Sequence, residues 1–340
     1  MKSAIITGIT GQDGAYLAQH LIDQGIKVYG AIRRGGERTF WRLKYLGIEN
    51  QIEIVELELS EFSQVFRLIN AVKPDYFYNL GAMSFVGTSF DEPIYTQDVN
   101  FIGPLRILES IRLSNQNIRY YQASTSEMFG KVAEVPQTEN TPFHPRSPYG
   151  ISKLAAHWSV VNYREAYNIF ASSGILFNHE SPLRGNEFVT KKIVKSLHSI
   201  KKNKLKFFEL GNLDAKRDWG YARDYVEGMK NILDLEAADD YVLATNETHT
   251  IREFCELAAQ EFGYLIEWSG TGLDEIGRDS KSKKIIIKIN PKFYRPAEVD
   301  LLIGDYSKVH KATNWKPKTS FHDLIKLMCK EEPIIENFMG

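Results

Sequence analysis

The sequence predicts an α/β protein, a doubly wound parallel sheet carrying a smaller α/β lobe, on three observations. A glycine-rich turn sits between a β-branched run and an amphipathic segment at the N-terminus. Apolar runs then alternate with longer amphipathic segments as far as about residue 178. Beyond that point the rhythm shifts to shorter strands, scattered arginines and polar loops.

The first unit carries the clearest signal. Ala4-Ile5-Ile6 reads as a strand and 15–22 as a helix, and Gly8-Ile9-Thr10-Gly11-Gln12-Asp13-Gly14 joins them. Such a turn presents backbone N–H groups and the positive end of the helix dipole to a pyrophosphate, and side chains at the glycine positions would block the approach. The second strand, 27–32, ends in Arg33 and Arg34, where NAD enzymes place an acidic residue on the ribose diol. Two guanidiniums suit the 2′-phosphate of NADP. A solvated basic loop is the other reading, since Arg38, Arg42 and Lys44 follow closely.

Further strands fall at 52–55, 76–80 and 120–123, with helices near 61–72 and 91–115. Strands separated by helices imply a parallel, Rossmann-like sheet covered on both faces, with ligands bound beyond the strands' carboxyl ends. The segment 136–148 is rich in Pro, Asn and Thr and reads as a long surface excursion before a helix starting at Tyr149. The expected division is 1–177, an NADP-binding domain that includes the Tyr149 helix, and 178–340, mainly a substrate lobe with some segments returning to the first domain.

At 340 residues, two domains of about 150 each are expected. A net charge of −1 and only short basic clusters (Lys191-Lys192, Lys201-Lys202, 281–284) argue against a nucleic-acid partner. The sequence shows neither a signal-peptide core nor an apolar stretch of about 18 residues, so a cytoplasmic protein with no membrane partner is expected. Cys255 and Cys329 fit no redox or zinc spacing and are expected to be reduced, with no metal site.

The chemistry is carried by Ser124-Thr125-Ser126-Glu127 and Tyr149-Gly150-Ile151-Ser152-Lys153. Tyr and Lys four residues apart share a helix face, so the ammonium can stabilise a phenolate and make Tyr149 a base near neutral pH. Thr125 can hydrogen-bond the same substrate oxygen as Tyr149. Glu127 is the discriminating residue, because hydride transfer at an alcohol carbon needs no carboxylate beside the Tyr. A carboxylate near a ketone can remove the proton on the adjacent carbon and return one to a leaving hydroxyl, which is a dehydration. Glu127 as a solvated loop residue is the alternative.

These motifs, with Pro145-Arg146-Ser147-Pro148-Tyr149-Gly150, Phe177-Asn178-His179-Glu180-Ser181-Pro182, Asp214-Ala215-Lys216-Arg217-Asp218-Trp219-Gly220 and Tyr294-Arg295-Pro296-Ala297-Glu298-Val299-Asp300, run along nearly the whole chain. On them the sequence resembles the extended short-chain dehydrogenase/reductases, and more narrowly the GDP-mannose 4,6-dehydratase family. The resemblance implies a bound NADP lined by Gly8, Thr10, Gly11, Gln12, Asp13, Gly14, Arg33, Arg34, Glu58, Leu59, Leu80, Gly81, Ala82, Tyr149, Lys153 and His179. It implies a catalytic set of Thr125, Glu127, Tyr149 and Lys153. It also implies sugar-nucleotide contacts from Ser84, Phe85, Glu127, Asn178, Arg184, Arg217, Arg295 and Glu298, the arginines suiting the diphosphate and Glu298 the sugar or ribose hydroxyls.

The sequence departs from the family at several of these places. Phe85 stands where many members have His, Leu183 where many have Arg, and Glu58 where the adenine usually meets Asp. Gly35-Gly36-Glu37 replaces the serine-rich loop that in relatives reaches a neighbouring subunit's cofactor, although a homo-oligomer, a tetramer, is still expected. The substrate expected is a GDP-linked hexose, GDP-D-mannose, with GDP-D-glycero-D-manno-heptose as the alternative. One carbon separates the two, and side chains near Met83, Phe85 or Thr88 would set the choice. A 4-keto sugar reductase or C4 epimerase would share Tyr149 and Lys153 but has no use for Glu127. A non-catalytic nucleotide sensor on the same fold would typically lack the Tyr/Lys pair.

Overall fold

The computed structural model describes residues 1–36, 40–114, 117–293 and 301–339. The β-branched and aromatic runs form strands β1 (Ser3–Thr7), β2 (Lys27–Ile32), β3 (Ile52–Glu56), β4 (Tyr76–Asn79), β5 (Arg119–Thr125) and β6 (Ala171–Leu176). Then come β7 (Asn178–Glu180), β8 (Phe208–Leu210), β9 (Lys216–Arg217), β10 (Trp219–Tyr221), β11 (Asp240–Leu243) and β12 (His249–Thr250). The series ends with β13 (Ile266–Ser269), β14 (Ile276–Asp279) and β15 (Ile285–Ile289).

Seven strands make one parallel sheet in the order β3-β2-β1-β4-β5-β6-β11. The order reverses direction at β1, which creates the crevice at the strands' carboxyl ends that this Rossmann-like architecture uses for ligands. Residues on both sheet faces are buried, Ile6, Tyr78 and Tyr121 in one core cluster and Ile5, Phe77 and Tyr120 in another. β11 comes from the second half of the chain yet pairs with β6. A second sheet, β13-β14-β15-β8, packs with the helices Val189–Lys201, Ile251–Glu261 and Phe321–Met339 around Trp219, Phe254 and Phe321.

One expected helix is broken. Where the sequence reads as a single helix over 91–115, the structure has Val86–Asp91, Pro93–Gln97, a π turn at Asp98–Ile102, and Gly103–Ser114. Pro93 starts its helix because it needs no N–H there. Pro104 supplies no N–H to the ladder, and Gly103 N–H instead donates to the Asp98 carbonyl one residue farther back. The widened turn aims Asn100 inward: its side chain accepts from Met83 N–H at 2.8 Å and donates to the Met83 carbonyl at 3.0 Å and to Ser152 Oγ at 3.3 Å. The loop after β4 is thereby tied to the Tyr149 helix.

That helix, Pro148–Tyr167, starts where expected. Ser147 caps it by accepting from Gly150 N–H at 3.0 Å, Pro148 occupies the first turn, and Asn168 ends it in the left-handed conformation. Cys255 and Cys329 are free and buried. Among the described residues no helix is long and apolar enough to cross a membrane, and no cluster of side chains could hold a metal ion.

Candidate active site

The glycine turn opens at Gly8, whose φ of +70° only glycine adopts without strain. A Cβ on Gly14 would lie 2.2 Å from the Gly8 carbonyl oxygen, so the helix can begin tight against the turn only with glycine there. The helix Gln12–Asp23 is capped by Gly11 with no side-chain hydrogen bond, which leaves its first-turn N–H groups to a ligand. This cradle fits a dinucleotide pyrophosphate. Gly81 closes it from β4, its N–H bonded to Thr7 Oγ1 at 2.9 Å, with Leu80 against Gly8 and Leu59 against Gly81. Glu58 is half-buried beside Leu59. Arg33 and Arg34 are exposed at the end of β2, and Arg33 Nη1 donates to Tyr95 Oη at 2.7 Å.

Three residues expected at the cofactor are engaged by other parts of the protein. The Thr10 carbonyl accepts from Arg42 at 2.9 Å. Gln12 is buried, with its amide donating to the His179 carbonyl at 3.1 Å and accepting from Ser181 Oγ at 2.6 Å. Asp13 accepts from His179 Nε2 at 2.8 Å. Burial opposes both charges of that pair, yet their attraction and hydrogen bond prevail, holding the Asp13 carboxyl down at about 2 and raising the His179 imidazole. The first helix is thus locked to β7.

Beyond the carboxyl ends of the strands lies a cavity of about 880 Å³. Thr125, Glu127, Tyr149 and Lys153 all line it, together with Asp13, Leu80, Ala82, Ser84, Phe85, Asn178, His179, Arg184 and Arg217. Gly8, Thr10, Gly11, Gln12, Gly14, Arg33, Arg34, Glu58, Leu59 and Gly81 do not line it. Arg295, Glu298 and Glu37 lie outside the described residues.

At the inner end of the cavity the Tyr149 phenol lies beside Thr125 at the end of β5. Thr125 Oγ1 also accepts from Glu127 N–H at 3.3 Å, which fixes the short 3₁₀ turn carrying Glu127. Lys153 is buried, donates to the Ala123 carbonyl at 2.9 Å, and stands 5.8 Å from the centre of the Tyr149 ring. Burial drives its ammonium down to about 8. The expectation that Tyr149 would be a ready base near neutral pH is corrected by this geometry. Burial pushes the phenol up to about 12, against the lowering effect of the neighbouring Thr125 hydroxyl and with the Glu127 charge adding to the rise. The arrangement still sets a phenol, a hydroxyl, a carboxylate and an amine around one space, which is a two-site proton-transfer device.

The outer end is built from the second half of the chain. Arg184 is paired with the buried Glu180 at 3.0 Å and stacks on Phe188 at 3.5 Å from the ring centre. Phe188 meets Phe85 edge to face at 6.0 Å, bridging the cavity between the two halves. Asn178 Oδ1 is buried without a hydrogen-bond partner, a polar atom placed to meet a ligand. Phe188, Lys192 and Trp219 line the cavity but are not among the site residues expected from the sequence. The local sequence Phe188-Val189 carries no signal beyond that of a helix start.

A family model described as GDP-mannose 4,6 dehydratase matches residues 5–328. A GDP-mannose 4,6 dehydratase from Drosophila melanogaster is 48% identical over 339 residues, covering 97% of this chain and 86% of its own. One from Homo sapiens is 47% identical over 333 residues, covering 96% and 90%. Among solved structures, a dTDP-glucose 4,6-dehydratase from Bacillus anthracis superposes with a TM-score of 0.81 at 19% identity, covering 99% of this chain and 98% of its own, which is a likeness of fold. A match along nearly the full length, over the stretch that builds the glycine turn and the Thr125–Tyr149 site, means that the chain belongs to the GDP-mannose 4,6 dehydratase family.

Proposed function

We propose that the protein converts GDP-D-mannose to GDP-4-keto-6-deoxy-D-mannose, a 4,6-dehydration with no net redox change. The observation that carries this reading is Glu127 beside the Thr125–Tyr149 pair in one cavity. A reductase or C4 epimerase needs the pair alone.

NADP is the cofactor proposed, its pyrophosphate on the Gly8–Gly14 turn, its 2′-phosphate met by Arg33 and Arg34, and its nicotinamide ribose held by Lys153. When bound, it supplies a hydride acceptor at C4 and a hydride donor at C6. Tyr149 takes the proton of the 4-hydroxyl, and Thr125 holds that oxygen as it becomes a ketone. Glu127 then removes the C5 proton, acidified by the neighbouring carbonyl, and delivers a proton to the 6-hydroxyl as water leaves. Tyr149, raised to about 12, is a strong proton acceptor once ionised. Arg184 and Arg217, with Arg295, serve the diphosphate, and Asn178, Ser84 and Glu298 the hydroxyls. Identity of 47–48% to GDP-mannose 4,6 dehydratases favours the hexose over the heptose. We further propose a cytoplasmic homotetramer, with the second half of the chain mainly a substrate lobe.

The test is mass spectrometry of GDP-mannose and GDP-D-glycero-D-manno-heptose incubated together with the protein and no added reductant. Loss of one water from the mannose compound is expected. Loss only from the heptose compound moves the assignment to the larger sugar, and loss from neither by folded protein holding NADP removes the dehydratase reading.

A further inference from the structure

Asp218 is fully buried between two residues that line the cavity, Arg217 and Trp219, and it has no part in the proton transfers above. Its carboxylate accepts four hydrogen bonds from two distant segments. Thr245 donates to Oδ1 from its N–H at 2.9 Å and its hydroxyl at 2.7 Å. Asn246 and Gly304 N–H donate to Oδ2, each at 3.2 Å. One side chain therefore joins β9, the chain leaving β11, and the strap 301–305.

The strap is fastened at a second point by the fully buried Gln137. Its backbone N–H donates to the Ile303 carbonyl at 2.8 Å, its carbonyl accepts from Asp305 N–H at 2.9 Å, and its side-chain oxygen accepts from Ile303 N–H at 3.0 Å. Leu302 is buried, and Leu301 bridges Lys216, the residue before Arg217. Gly304 passes so close to the core that an added Cβ would lie 2.5 Å from Ala244 Cβ and 2.6 Å from the Phe177 ring. The strap thus has one seat. Arg217 is held on the same framework, in antiparallel register with His249.

We propose that Asp218 is a positioning residue for the diphosphate end of the site: it clasps the strap 301–305 and the chain after β11 onto the strand that presents Arg217. The proposal rests on the reading that Arg217 meets the substrate diphosphate. A buried carboxylate with four donors tolerates no simple replacement. An amide keeps one acceptor oxygen but turns an NH₂ toward two of the four N–H or O–H groups, so half of the clasp opens. The strand carrying Arg217 then loses one of its anchors, while Thr125, Glu127, Tyr149 and Lys153 stand on elements that Asp218 does not touch.

The experiment uses the holoenzyme and reads binding and turnover separately. In Asp218→Asn, the KM for GDP-mannose and the Kd for guanosine diphosphate by titration calorimetry are expected to rise about tenfold, with kcat within about threefold of wild type and bound nicotinamide unchanged. Thr245→Val, which removes one donor and keeps the shape, is expected to raise both constants about threefold, and it decides the question if Asp218→Asn does not fold. Unchanged KM and Kd in the folded variant, or a fall in kcat with KM unmoved, overturns the proposal. Wild-type protein that binds no guanosine diphosphate overturns the clasp together with the site reading, whereas binding that is equal in wild type and variant overturns the clasp alone.

Discussion

Tyr149 and Lys153 share a helix face but not a hydrogen bond, and burial moves their proton affinities apart, the phenol up to about 12 and the amine down to about 8. Tyr149→Phe removes the proton acceptor and keeps the ring. Turnover of GDP-mannose should fall by about 10²–10⁴ in a steady-state assay while circular dichroism stays unchanged, and activity within tenfold of wild type would contradict the role. For Lys153 the sign of the linkage is definite. Its folded value lies below the ordinary lysine value of 10.5, so the native state binds fewer protons between about 8 and 10.5 and gains stability as pH rises through that window. Denaturant titrations should show that gain in wild type and its absence in Lys153→Met. Glu127→Gln should form no product that has lost water, yet still oxidise C4, seen as a rise in reduced-nicotinamide absorbance on adding substrate. At this scale the legible residues were those whose spacing is itself chemistry, the Thr-x-Glu and Tyr-x-x-x-Lys patterns. Phe188 and Asp218 were not legible, because an aromatic at a helix start and an aspartate between Arg and Trp look alike whether they face solvent or a cavity.

The elements that carry these residues are positioned by a few contacts. Gly14→Ala places a methyl group 2.2 Å from the Gly8 oxygen, so the turn must open, and the purified variant should retain far less nicotinamide than wild type by absorbance. The C-terminal helix docks through an ion pair, Lys191 Nζ to Glu332 Oε2 at 2.5 Å, with both side chains almost fully buried. Lys191 also donates to the Pro182 carbonyl at 2.8 Å, which braces the loop before Arg184. Removing either partner alone strands a buried charge and should cost about 3–5 kcal/mol by chemical denaturation, and the double replacement Lys191→Met with Glu332→Leu should recover most of it. Equal losses for single and double variants would rule out the coupling. The helices Gln12–Asp23, Phe62–Val72 and Pro148–Tyr167 were legible from their periodicity and setting, while those of the second half, such as Val189–Lys201 and Ile251–Glu261, were not. The break at 91–103 is encoded in Pro93 and Pro104, but periodicity averaged over the window hides it.

For the whole molecule, the first five strands of the central sheet were readable in order, because each is an apolar run between amphipathic segments, whereas β6, with Ser172, Ser173 and Gly174 at its centre, was not. β11 was not, since its pairing with β6 bridges more than sixty residues that build much of the second lobe. The cavity likewise belongs to no single segment. Its inner end comes from the ends of β5 and the Tyr149 helix, and its outer end from β7, the helix Val189–Lys201 and β9. This division matches the two demands of the proposed reaction, acid and base groups fixed at the sugar and cations fixed at the diphosphate. The central claim is that the hydride taken from C4 returns to C6 of the same sugar. Incubation of GDP-mannose deuterated at C4, followed by nuclear magnetic resonance of the product, tests it directly. The product is expected to have lost one water and to carry the deuterium at C6, and deuterium absent from C6, or retained at C4 in sugar that has lost no water, would contradict that transfer.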